Sequence, residues 1–144
     1  MSSNTYKTFY LEELFVGQKA SIIKIIEEKD INVFAKVTGD LNPLHVDSKF
    51  AKNSIFKKKI AHGFLTASLI SSVIGMKLPG PGSIYLSQSL KFLAPVFLGD
   101  QIETHVIVKN IIQEKNKIIL DTYCSKNGDK VLVGEAKILV QSKK

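Results

Sequence analysis

A chain of 144 residues with 44% hydrophobic and 23% charged residues is the size of one domain and can bury a core, which excludes a disordered chain. Its single cysteine, Cys124, excludes an internal disulfide framework and a cysteine-rich zinc site. The net charge of +7 comes from 20 basic residues, all of them lysine, scattered apart from Lys57-Lys58-Lys59, so charge alone does not make this a nucleic-acid binder.

The first 18 residues, MSSNTYKTFYLEELFVGQ, have no apolar stretch and carry Glu12 and Glu13 early, and are expected to make a poor leader. Ala20 to Ile26 is rich in isoleucine and reads as a first strand. Asp30 is placed to N-cap a short helix over Ile31–Thr38, with Gly39 as its stop. Gly39-Asp40-Leu41-Asn42-Pro43 is a dense turn signal, and Asp47 is placed to cap a second helical piece holding Phe50 and Ala51. From Gly63 to Met76 the apolar residues occupy more than one helical stripe, filled in with Gly, Ala and Ser. Such a helix is expected to be buried nearly all round. The longest apolar stretch, Ala61 to Met76, is too short to span a membrane, and a cytoplasmic, reducing setting is expected.

Pro79-Gly80-Pro81-Gly82 ends that helix, and the period then changes from helical to alternating. Ser83–Phe92, Gln101–Glu114, Lys117–Ser125 and Lys130–Val140 read as four strands. Glu114 to Lys117 and Asn127-Gly128 mark two tight hairpins, so neighbouring strands are antiparallel. A buried helix followed by a long antiparallel sheet is satisfied best when the sheet curls around the helix. The expected fold is α+β: a single hot-dog domain over residues 1–144, its antiparallel sheet wrapped around a central buried helix.

Asp40 and His45 are five residues apart on a loop stiffened by Pro43, so a carboxylate and an imidazole can converge on one water molecule. Asn42 can brace the turn through its side chain. A plain Asx turn decorated by His45 accounts for the same residues. His62-Gly63 then opens the apolar helix, where backbone N–H groups lack intrahelical acceptors and favour an oxygen becoming negative. Glycine there leaves room for a carbonyl to approach. His62 is read mainly as a helix-start residue, His105 as an ordinary strand histidine, and Cys124 as a packed thiol. No cluster has metal-ligand spacing such as His-x-x-x-His, so no metal is expected.

The run Thr38-Gly39-Asp40-Leu41-Asn42-Pro43-Leu44-His45 resembles the (R)-specific enoyl-CoA hydratases of the MaoC-like, or hydratase 2, group. So do His62-Gly63, Gly82-Ser83-Ile84-Tyr85, Leu86 to Phe92, and Ala94 to Asp100. The likeness runs from about Gly17 to Val140. It implies a lyase that adds water to a trans-2-enoyl-CoA to give an (R)-3-hydroxyacyl-CoA, with Asp40 and His45 as the catalytic pair. Gly63 is implied as the oxyanion donor, with Ser71 assisting the pocket and Ile74 as a candidate wall for the acyl chain. It further implies a homodimer and no cofactor, coenzyme A being part of the substrate. A 3-hydroxyacyl dehydratase acting on acyl carrier protein would use the same atoms. A hot-dog thioesterase fits the Asp40–His45 loop less well, and a basic adaptor for nucleic acid or protein leaves that loop unexplained. Neither nucleic acid nor a membrane is an expected partner.

Overall fold

A computed structural model describes residues 6–144; the first five residues of the segment read as a poor leader lie outside it. The elements in chain order are β1 (Lys19–Ile25), α1 (Glu28–Thr38), α2 (Pro43–Val46), α3 (Ser48–Lys52) and α4 (Gly63–Met76). They are followed by β2 (Ile84–Gln88), β3 (Lys91–Phe92), β4 (Gln101–Ile112), β5 (Lys117–Lys126) and β6 (Asp129–Leu139). All pairings are antiparallel, in the order β1-β4-β5-β6-β2, with β3 also on β6. The β5–β6 hairpin turns through Asn127 (φ 52°) and Gly128 (φ 84°), the left-handed pair that an Asn-Gly turn supplies without strain. The α+β hot-dog class expected from the sequence is the one found.

Three local readings change. α1 begins three residues before Ile31, because Glu27 rather than Asp30 is its N-cap. Asp30 instead occupies the third helical position, where its Oδ2 accepts the Glu27 N–H at 2.9 Å and Lys24 lies 3.1 Å away. The strand expected over Ser83–Phe92 is two strands, β2 and β3, separated at Ser89-Leu90. There the Ser89 carbonyl packs on Gly134, at a spot a Cβ would occupy, so the chain bends around a glycine in β6.

The enclosure of α4 is one-sided. Thr66, Ile70, Val73 and Ile74 are buried against the sheet with Ile102, Val106, Ile118 and Leu120. The Cys124 thiol lies in that same layer, fully buried, 3.7 Å from the Thr66 carbonyl and 3.3 Å from the Thr104 hydroxyl. On the opposite side Phe64 and Met76 are 65% and 61% exposed, with Ser68, Ser71 and Ser72 between them. Within one protomer the sheet therefore covers one face of the helix rather than the whole of it. His105 sits on β4 on the face opposite buried Thr104 and stacks on Tyr123 at 4.7 Å.

Candidate active site

Gly39 ends α1 in the left-handed region, at φ 79°, with its N–H on the Ala35 carbonyl. The chain then makes consecutive side-chain turns. Asp40 N–H donates to Thr38 Oγ1 at 3.1 Å, Asn42 N–H donates to Asp40 Oδ1 at 3.2 Å, and Leu44 N–H donates to Asn42 Oδ1 at 3.1 Å. Asn42 thus N-caps α2, Pro43 opens it, and His45 sits within that single turn. The sequence dictates this loop through Asx chemistry and a proline at a helix start. Asn42 braces it, its Oδ1 already committed to the backbone.

Asp40 remains exposed, whereas His45 is 9% exposed. His45 Nδ1 lies 2.8 Å from the Ile60 carbonyl. A carbonyl only accepts, so Nδ1 carries a proton, and Nε2 of the neutral ring keeps its lone pair. Burial pushes the His45 pKa below its ordinary value, and the neighbouring His62 adds to this; the Ile60 bond and the Asp40 charge oppose it. A neutral imidazole with a fixed tautomer beside a carboxylate is equipped to accept a proton from water.

His62, read as little more than a helix-start residue, is the residue that ties these parts together. It is 2% exposed. Its Nε2 donates to the Asp40 carbonyl at 3.0 Å, and its ring centroid is 3.9 Å from that of His45 and 4.8 Å from Phe34. Its partners lie 22 and 17 positions upstream, too far for local spacing to reveal. Donor atoms of Asp40, His45 and His62 come within 4.8 Å of one another, a grouping that spacing did not announce and the set that could hold a metal ion. The two rings are tilted by 31° with their centroids 3.9 Å apart, which suits ring packing and a shared water better than convergence on a tetrahedral ion.

A cavity of about 330 Å³ adjoins these groups. His45, Gly63 and Thr66 line it, with Phe56, Ile60 and Phe92 among its apolar walls. Gly63 is the first residue of α4. Among the described residues no acceptor takes the Gly63 or Phe64 N–H, as expected for a helix start. The missing Cβ at Gly63 makes room for the Phe92 ring, whose Cε1 would lie 2.7 Å from it. Thr66, one turn into α4 and missed in the sequence, lines the same cavity, and its buried hydroxyl has no partner among the described residues.

Two other expected pocket residues are elsewhere. Ile74 is 1% exposed in the main core, and Ser71 lies on the open face of α4; neither lines this cavity. Helical geometry separates them: Gly63 and Thr66 are on the first turn, while Ser71 lies about two turns and Ile74 about three turns beyond Gly63.

A sheet curled on one helix, with an imidazole lining an apolar cavity at the helix start and a carboxylate beside that imidazole, defines a hot-dog protein equipped for acid–base chemistry. Residues 15–127 match the family model described as a MaoC like domain, and the chain belongs to that family. It is 43% identical over 143 residues to an (R)-specific enoyl-CoA hydratase of Rhodospirillum rubrum, covering 99% of each. It is 44% identical over 137 residues to a 3-hydroxybutyryl-CoA dehydratase of Methylorubrum extorquens, covering 95% of this chain and 87% of that protein. The structure of R-hydratase PhaJ1 from Pseudomonas aeruginosa superimposes with a TM-score of 0.91 at 41% identity, covering 96% of this chain and 89% of that one.

Proposed function

We propose that the chain is an (R)-specific enoyl-CoA hydratase, a lyase that adds water across the double bond of a trans-2-enoyl thioester. The observation that carries this reading is the His45 ring, neutral and held by Ile60, with its free Nε2 beside Asp40 and the cavity ahead of it. Asp40 and His45 hold one water. The Nε2 takes a water proton as the oxygen bonds to the β-carbon, and a proton returns from the imidazolium to the α-carbon on the same face. The thioester oxygen gains enolate charge during attack, and the Gly63 N–H at the start of α4 stabilises it; one such donor contributes about 3–4 kcal/mol in the transition state. The reaction as written needs no cofactor, since coenzyme A belongs to the substrate.

The relatives at 43% and 44% identity are named for coenzyme A thioesters, whereas those named for acyl-carrier-protein dehydration are 36% and 39% identical, which puts dehydration on an acyl carrier protein behind hydration on coenzyme A. A homodimer belongs to the same reading. β2 is an edge strand exposing Ile84, Tyr85 and Leu86, at 55%, 39% and 44%. A second copy paired there would extend the sheet and cover the open face of α4. Buried, unpaired Cys124 fits a reducing cytoplasm, and no helix among the described residues is long and apolar enough to cross a membrane.

The test is hydration of crotonyl-CoA by the purified protein, followed by loss of enoyl absorbance and chiral analysis of the product. Asp40→Asn keeps the oxygen that accepts the Asn42 N–H, so the variant is expected to fold. Its kcat is expected to fall by about 10²–10⁴-fold. An (S) product, or an Asp40→Asn enzyme as fast as the parent, overturns the reading.

A further inference from the structure

The lysine run of the sequence becomes one wall of a groove. Ser48, Lys52, Lys57, Lys58, Lys59 and Leu98 line a depression of about 420 Å³. Its lining residues neighbour those of the candidate active-site cavity in the chain. Phe56 and Ile60, which bracket the lysine run, line that cavity, as does Val96, two residues before Leu98. Backbone bonds lock the two sides together: Ile60 bridges Phe97, and Ala61 N–H donates to the Val96 carbonyl at 2.7 Å.

The four ammonium groups are not equally committed. Lys59 is 12% exposed and donates to Glu28 at 2.8 Å, so it is a structural cation. Lys58 lies 4.4 Å from the Phe97 ring centroid, which fixes its stem but leaves donors to spare. Lys52 and Lys57 have no acidic partner among the described residues, and the nearby Asp47 carboxylate is spent on capping α3. Lys57 holds φ 65°, so the run turns sharply at the groove. Three positive charges therefore stand without counter-ions among the described residues, in a groove beside the apolar cavity.

We propose that this groove binds the phosphates of the coenzyme A carrier while the thioester lies in the adjoining cavity. The inference rests on the hydratase reading and adds to it the residues that hold the carrier's phosphates, Lys52, Lys57 and Lys58. A coenzyme A thioester is a thin, mostly neutral pantetheine arm that ends in clustered phosphates. An apolar cavity beside an unpaired lysine groove, on segments bonded to one another, matches that change of character along the ligand. Lysines engage phosphate as point charges, so salt weakens the contact.

The experiment compares crotonyl-CoA with crotonyl-pantetheine, which lacks the nucleotide and its phosphates, using the parent and a triple variant, Lys52→Ser/Lys57→Asn/Lys58→Ser. Asparagine is chosen at 57 because it tolerates the left-handed backbone; Lys59 is left in place. At low salt the variant is expected to raise KM for crotonyl-CoA by about tenfold, with the pantetheine thioester unaffected. An unchanged KM for crotonyl-CoA, or an equal rise for both substrates, overturns the proposal. A KM raised only for crotonyl-acyl carrier protein also overturns it and makes the groove a protein-docking surface. If the parent hydrates neither thioester, the hydratase reading fails. Calorimetric binding of adenosine 3′,5′-bisphosphate to parent and variant then decides the groove alone, with weaker binding by the variant expected and equal binding overturning it.

Discussion

Replacing Gly63 by alanine separates folding from chemistry. The new methyl would stand 2.7 Å from Phe92 Cε1 and 3.0 Å from Cδ1, against about 3.5–4.0 Å for carbon atoms in comfortable contact. The ring must retreat by roughly 1 Å, the difference between those separations. It has room: Phe92 is 48% exposed and its Phe64 neighbour is 6.0 Å away between centroids. Displacing the ring costs about 0.5–1.5 kcal/mol of rotamer strain, offset by about 0.5–1 kcal/mol from replacing glycine within a helix. Denaturant unfolding is thus expected to shift by less than about 1 kcal/mol, the difference of those two effects. The methyl and the ring it displaces crowd the approach to the N–H of residue 63, and obstructing that donor should lower kcat for crotonyl-CoA by about 10²–10³. Adding Phe92→Leu should relieve any loss of stability and leave the rate low. A Gly63→Ala enzyme with the parent's kcat would refute the placement of the oxyanion.

The remaining predictions probe the imidazoles and the thiol. Because burial lowers the His45 pKa from its ordinary 6.5, the base form persists as the medium acidifies. The acid limb of kcat/KM should have its midpoint below 6.5, and a midpoint above it would contradict the assignment. His62→Phe keeps a ring against His45 but removes the donor to the Asp40 carbonyl. It should cut kcat by about tenfold or more with KM little changed, and His62→Gln, whose amide nitrogen replaces Nε2, should recover most of it. Equal kcat for parent and His62→Phe would dismiss the role. Burial pushes the Cys124 thiol up to about 11; native protein should resist iodoacetamide at neutral pH and react only once unfolded, as mass spectrometry would show.

The sheet was legible because its signals are local. Alternation, the Asn127-Gly128 turn and the Gly39 stop each act within a few residues, and the structure places them as read. The Asp40–His45 loop was legible for the same reason, its Asx turns and Pro43 being chemistry between near neighbours. What escaped was tertiary. Whether β2 continues into β3 depends on Ser89 meeting Gly134, a contact across strands that no alternation pattern encodes. The place of His62 depends on Asp40, His45 and Phe34 arriving from other elements, and its only sequence signal is a polar residue at the threshold of an apolar helix. The apolar pattern of α4 predicted burial all round because a pattern records which faces avoid water, not which molecule covers them.

The burial of His45 has a further consequence. The Ile60 carbonyl and the Asp40 charge favour a protonated ring, but withdrawal from water outweighs them. Positive charge on the ring is therefore disfavoured, and a proton taken up during attack is readily handed on. A base that cannot hoard its proton favours addition in one continuous event and serves equally well for elimination, so the direction of flow is left to the concentrations of enoyl and hydroxyacyl thioesters.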